Sequence, residues 1–78
     1  MLSEDAYQAA YRRFRTKLRQ ARLDAGLTQA RVALLLGKPQ SFVSKAESGE
    51  RRLDWVELQI LARVLQKPPS YFEDDSLS

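Results

Sequence analysis

The chain contains neither cysteine nor histidine among its 78 residues. That double absence excludes zinc fingers, thiol chemistry and every Ser–His or Cys–His nucleophile pair, and it leaves no disulfide to staple a small core. No metal and no cofactor are expected, and neither paired catalytic groups nor a phosphate-binding glycine loop suggests an enzyme. No apolar run approaches the roughly 20 residues of a membrane span, and no secretory leader is visible. Internal repeats, linkers and low-complexity stretches are lacking too. These absences point to one small domain of a reducing, cytoplasmic setting. Its core is marginal for its size, so a partner subunit would add useful buried surface.

What the sequence does hold is charge, unevenly placed. All 13 Lys and Arg fall between Arg12 and Lys67, against five acids (Asp24, Glu47, Glu50, Asp54, Glu57), which gives this body a net +8. The other five acids sit at the ends, as Glu4, Asp5, Glu73, Asp74 and Asp75. A basic body with acidic ends suits a polyanionic partner. Charge alone fits an ordinary solvated surface equally well.

Hydrophobic periodicity predicts an all-α chain, a compact bundle of about five helices. Ser3 caps a first helix from Glu4 to Ala25, with Glu4 and Asp5 at the positive end of the dipole and Leu2 stapled onto Tyr7. Its apolar stripe is Tyr7, Tyr11, Phe14, Leu18, Ala21 and Ala25. Arg12, Arg15, Arg19 and Arg22 repeat at the same spacing about a quarter-turn round, and Gly26 supplies a left-handed stop. The length leaves room for a break between Arg13 and Thr16. Thr28 caps a second helix that Gly37 ends, with Val32, Ala33 and Leu36 inward and Leu35 at the edge. Asp54 and Glu57 form a capping box for a fourth, with Leu53 stapled onto Leu58 and an apolar set of Trp55, Leu58, Leu61, Ala62 and Leu65. Lys67-Pro68-Pro69 breaks that run, Ser70-Tyr71-Phe72 makes a last turn, and residues 73–78 form a mobile acidic tail.

The third helix carries the functional signal. Gln40 to Glu47 follows Gly37-Lys38-Pro39 so closely that the two short helices can only be a helix-turn-helix, at about residues 28–47. Val43, Ala46 and Glu47 share one face and Gln40, Ser41, Ser44 and Lys45 the opposite one. A helix this short does not stand alone in water, and its polar face holds donors and acceptors of the kind that read base edges in a DNA major groove. Taken alone, those polar residues are merely a solvated face; the motif spacing and the absence of acid on that face favour readout. Phe42 lies at the edge, suited to core packing or to a thymine methyl. Glu47 falls on the inward side and needs a partner, for which Arg22 is the candidate. Arg12, Arg15 and Arg19 read as a solvated helix face.

Leu27-Thr28-Gln29, Val32-Ala33, Leu36-Gly37, Pro39-Gln40-Ser41, Val43-Ser44-Lys45, Glu47-Ser48-Gly49 and Arg51-Arg52 together resemble the Cro/phage-repressor (Xre-like) helix-turn-helix family, with a lambda-repressor-like fold. The resemblance divides the single domain into an N-terminal helical extension (1–16), a family core (17–72) and the tail (73–78). It implies base contacts from Gln40, Ser41, Ser44 and Lys45, and backbone contacts from Gln29, the Gly49 turn, Arg51 and Arg52. It also implies a buried ion pair between Arg22 and Glu47. The chain departs from the family at Arg31, where an acid often completes a capping box with Thr28, and at Ala46, where a bulkier apolar residue is usual.

The resemblance further implies a prokaryotic or phage, nucleoid-associated regulator that binds double-stranded DNA with a two-fold symmetric operator as a homodimer. With no second domain to sense a ligand, its activity would follow its own concentration or a partner protein, a toxin or RNA polymerase being open choices. Aromatics that a small core does not absorb are candidates for the dimer surface: Trp55, Tyr71, Phe72, Tyr7 and Tyr11. The competing reading is an antitoxin-type protein-interaction module, which an exposed patch of Tyr7, Tyr11, Phe14 and Phe72 would favour. No membrane partner is expected.

Overall fold

The computed structural model describes residues 3–77, and the expected Leu2 staple lies outside them. Extended Ser3 accepts the Ala6 N–H on its hydroxyl at 3.1 Å and opens α1 (Glu4–Asp24). This helix runs unbroken for 21 residues. It contains no Gly or Pro, so nothing interrupts its ladder between Arg13 and Thr16. Gly26 stops it at φ +71°, with the Leu27 N–H returning to the Arg22 carbonyl.

Thr28 caps α2 (Gln29–Leu36) by accepting the Arg31 N–H at 3.0 Å. Gly37, at φ +69°, then lets the Lys38 N–H reach the Ala33 carbonyl, and Pro39 leads directly into α3 (Gln40–Ser48). Both halves of the expected capping box form at α4 (Trp55–Val64), Asp54 taking the Glu57 N–H and Glu57 the Asp54 N–H. A 3-10 turn at Pro69–Phe72 and a second at Asp75–Leu77 follow. Among the described residues, four α-helices and two 3-10 turns thus stand where about five helices were expected. Pro68 and Pro69 offer no N–H donors, and the residues after them close only one turn.

Leu18, Ala21, Val32, Ala33, Val43, Ala46, Leu61, Ala62, Leu65 and Phe72 form the core. Beside the small Ala46 the core holds a cavity of about 10 Å³, lined also by Leu18, Val32, Phe42 and Leu61, at most one water molecule's worth.

Three placements differ from the sequence reading. Trp55, assigned to the apolar set of α4, is 62 % exposed. It shares the angular position of Ala62 but lies two turns nearer the helix start, while α4 packs against α2 and the Pro69–Phe72 turn. Phe72, a candidate for the dimer surface, is buried in the monomer core. The acidic tail, expected to be mobile, returns to α1: Arg13 Nε donates to Asp74 at 2.7 Å and Lys17 Nζ to the Glu73 carbonyl at 2.7 Å. Basic residues of α1 meet the acidic end by charge attraction.

The N-terminal extension docks through aromatic rings. Tyr7 stacks on Tyr11, Tyr11 meets Phe14 edge-on, Phe14 meets Phe72, and Phe72 meets Tyr71, with centroids 5.1–6.1 Å apart. Offset and edge-on rings satisfy their quadrupoles as they bury area. This row ties the start of the chain to its last turn.

Candidate nucleic-acid interface

The exposed side of α3 presents Gln40, Ser41 and Lys45, with Ser44 half-buried beside them. Ser44 donates its hydroxyl to the Ser41 carbonyl at 3.3 Å, which leaves the oxygen free to accept. The Lys45 carbonyl accepts from the Ser48 hydroxyl and the Arg51 N–H, but its side-chain ammonium has no partner among the described residues. Pro39 supplies no side-chain cap, so the first amides of α3 also remain available at the positive end of its dipole. Val43 and Ala46 on the reverse side anchor the helix in the core.

Behind this face lies a polar brace. Arg22 Nε donates to Glu47 Oε2 at 2.6 Å and Arg22 Nη2 to Glu47 Oε1 at 3.2 Å, while Gln29 Nε2 donates to the same Oε1 at 3.1 Å. Arg22 Nη1 also reaches the Leu27 carbonyl at 2.9 Å. The pair expected from Glu47's inward position therefore joins the end of α1, the start of α2 and the end of α3. Fixed forks of this kind set geometry as well as energy.

The turn after α3 is gripped from two sides. Gly49 takes φ +87°, and a Cβ there would lie 2.9 Å from the Arg15 side chain. Arg15 Nη1 donates to the Ser48 carbonyl at 2.6 Å, placing positive charge at the negative end of the α3 dipole. Arg51, expected at a phosphate, donates through Nη1 and Nη2 to Glu57 at 3.1 and 2.7 Å and to the Arg52 carbonyl, and its guanidinium lies over Phe42. Its cation holds the Glu57 carboxyl below the usual range, helped by the Asp54 amide. Arg52 lies over the rings of Tyr7 and Tyr11, 4.8 and 4.9 Å from their centroids. Stacking uses the face of a guanidinium and leaves its in-plane N–H groups outward.

The structure places Gln40, Ser41, Ser44 and Lys45 on α3, Gln29 at the start of α2 bonded to Glu47, and Gly49, Arg51 and Arg52 in the turn after α3. Sequence reasoning names Trp55, which is 62 % exposed, for the dimer surface, but misses its exposed apolar neighbours on α4, Val56 and Ile60, at 61 and 53 % exposure. The i, i+4 step from Val56 to Ile60 is visible in the sequence, but the apolar set assigned to the core runs along a different stripe of α4.

Two short helices in this arrangement, with an acid-free polar face on the second, define a helix-turn-helix DNA-binding protein. Residues 18–72 match the helix-turn-helix family model. The fold is similar to that of an XRE-family like protein from Pseudomonas syringae pv. tomato str. DC3000, with 40 % sequence identity and a TM-score of 0.83. That match covers 88 % of this chain and 84 % of the other, so it reaches beyond the limits of the family model. No curated protein matches. The chain belongs to the XRE (Cro/C1-type) helix-turn-helix family, a class of DNA-binding regulators. Among the described residues no helix is long and apolar enough to cross a membrane.

Proposed function

We propose that the protein is a sequence-specific transcriptional regulator that binds a two-fold symmetric duplex operator as a homodimer. Gln40, Ser41, Ser44 and Lys45 read base edges from the major groove. Gln can bond adenine N6 and N7 together, and Lys45 can reach guanine acceptors. The Gln29 and Gly49 amides and the outward edge of Arg52 hold backbone phosphates, and Arg51 acts through Glu57 to fix the turn. The observation that carries this reading is the exposed, acid-free face of α3 backed by the buried Arg22–Glu47–Gln29 brace.

The exposed apolar residues of α4, Trp55, Val56 and Ile60, support self-association. One recognition helix buries too little to hold a short site, and two of them about 34–36 Å apart reach successive major grooves on one face of the duplex. The aromatics that would have favoured a protein-interaction module, Tyr7, Tyr11, Phe14 and Phe72, are occupied with one another and with Arg52.

Selection of bound sequences from a random duplex library, followed by footprinting of the enriched site, tests the proposal. The expected product is a palindrome with half-sites about one helical turn apart. Absence of enrichment, or protection of a single half-site, would overturn it.

A further inference from the structure

The sequence places the phosphate-neutralising charge at Arg51 and Arg52, yet the structure distributes free charge differently. Arg13, Lys17, Arg22, Arg51 and Lys67 are committed to carboxylates or carbonyls, Arg15 to the Ser48 carbonyl, and Lys38 and Arg52 to rings. Among the described residues five side-chain cations have no such partner: Arg12, Arg19, Arg31, Lys45 and Arg63. Two of them, Arg12 and Arg19, stand two turns apart on one side of α1, about 10 Å along its axis.

They line a groove of about 330 Å³ between α1 and the end of α3, with Arg15 between them and Glu47 on the opposite wall. Glu47 does not neutralise them, because Arg22 and Gln29 take both of its oxygens. Arg15 is a strut rather than a free charge: it is bonded to Ser48 and pressed against Gly49. The groove thus opens beside both proposed phosphate contacts, reaching Gln29 through Glu47 and Gly49 through Arg15. Its lining is cationic, wide and open on one side, which suits a polyanion backbone rather than a small enclosed ligand. Charges spaced about 10 Å apart span several phosphates of a duplex, whose strands each place one about every 3.4 Å of axis.

We infer that Arg12 and Arg19 form a phosphate track along α1 that continues the DNA contact of α3 onto the backbone outside the bases it reads. This rests on the DNA-binding reading above and adds a second, sequence-independent grip. Arg12 lies in the N-terminal extension, outside the residues matched by the family model.

Salt titration of binding to a long mixed-sequence duplex tests the track without knowledge of the operator. Arg12→Gln/Arg19→Gln removes both charges and keeps good helix formers. The slope of log K against log salt should become shallower by about 2 per bound protomer, near 0.9 for each phosphate that is no longer neutralised. Arg63→Gln, a free cation on α4 outside the groove, should leave the slope unchanged. A constant fraction of misfolded protein shifts K but not this slope, so partial unfolding does not imitate the effect. An unchanged slope in the double variant overturns the track while leaving the DNA-binding reading intact, and an equally shallow slope in Arg63→Gln overturns it as well. A wild-type protein that binds no duplex overturns both readings.

Discussion

Arg22 and Glu47 lock the first and third helices together through a two-pronged ion pair whose side chains are only 10 and 8 % exposed. At that depth the attraction works against a desolvation cost, so the pair matters chiefly when one partner is removed. Removing either residue alone should destabilise the fold by about 3–5 kcal/mol, because an unpaired charge stays buried. Gln29 offers Glu47 only one neutral donor and does not replace the guanidinium. Removing both should cost less than the two single effects added. Chemical denaturation of Arg22→Met, Glu47→Leu and the double variant checks this, and strict additivity would reject the coupling.

Gln40 and Ser44 should matter for sequence and little for fold. Both lie on the outer face of α3, and neither contributes to the core. Replacing either with Ala should weaken binding to the selected operator by about 1–3 kcal/mol and scarcely alter binding to unrelated duplex. Competition titrations with the two duplexes measure the difference. Equal weakening on both would show that these side chains do not read bases.

Two left-handed positions invite opposite substitutions. Gln66 ends α4 at φ +60° with a side chain that this region disfavours. Gln66→Gly should stabilise by about 0.5–1 kcal/mol, since the strain relieved exceeds the added chain entropy. Gly49→Ala should cost about 1–2 kcal/mol from backbone strain, and more because its methyl would meet Arg15 at 2.9–3.0 Å. Thermal melting of both variants gives the signs; a stabilised Gly49→Ala would mean that the turn does not hold this geometry.

Local signals in the sequence were legible, and distant ones were not. Ser3, Thr28 and Asp54 announce their helices because a cap is satisfied within three residues, and each does so. Arg22 and Glu47 were findable because a carboxylate on an inward face demands a cation. The fates of Arg51 and Arg52 were harder: the stacking of Arg52 on Tyr7 and Tyr11 links residues over forty positions apart. Arg13 and Asp74 are 61 positions apart, so the docking of the acidic end left no local trace. Trp55 misled for another reason. Periodicity gives the direction of a side chain, but not whether the bundle extends far enough to cover it.

The docking of that acidic end should respond to acid. The Ser76 hydroxyl and the Arg13 guanidinium hold the Asp74 carboxyl at about 2, below its ordinary 3.8. A depressed carboxylate contributes stabilisation that is complete above the ordinary value and lost as pH falls through the depressed one. The end should therefore stay docked at neutral pH and release between about pH 4 and 2. The Asp74 side-chain carbon resonance, followed by NMR, should titrate with a midpoint near 2. A midpoint at 3.8 would show that neither partner engages it.

Trp55 sits on the first turn of α4, stacked on no ring among the described residues, with Val56 beside it and Ile60 one turn further along. A tryptophan left in water forgoes the stabilisation its area would supply, and large exposed aromatics often anchor interfaces. If this row is the dimer surface, Trp55→Ala should weaken self-association by about 2 kcal/mol or more, roughly 30-fold in the dissociation constant. The melting temperature of the monomer should hardly move, because the side chain packs against little within its own chain. Operator binding should weaken with dimerisation, while the weak charge-driven binding to unrelated duplex persists. Analytical ultracentrifugation of both proteins, free and on the selected duplex, separates these effects. A wild-type chain that stays monomeric in both settings would reject the homodimer, and a Trp55→Ala variant that dimerises normally would move the interface away from α4.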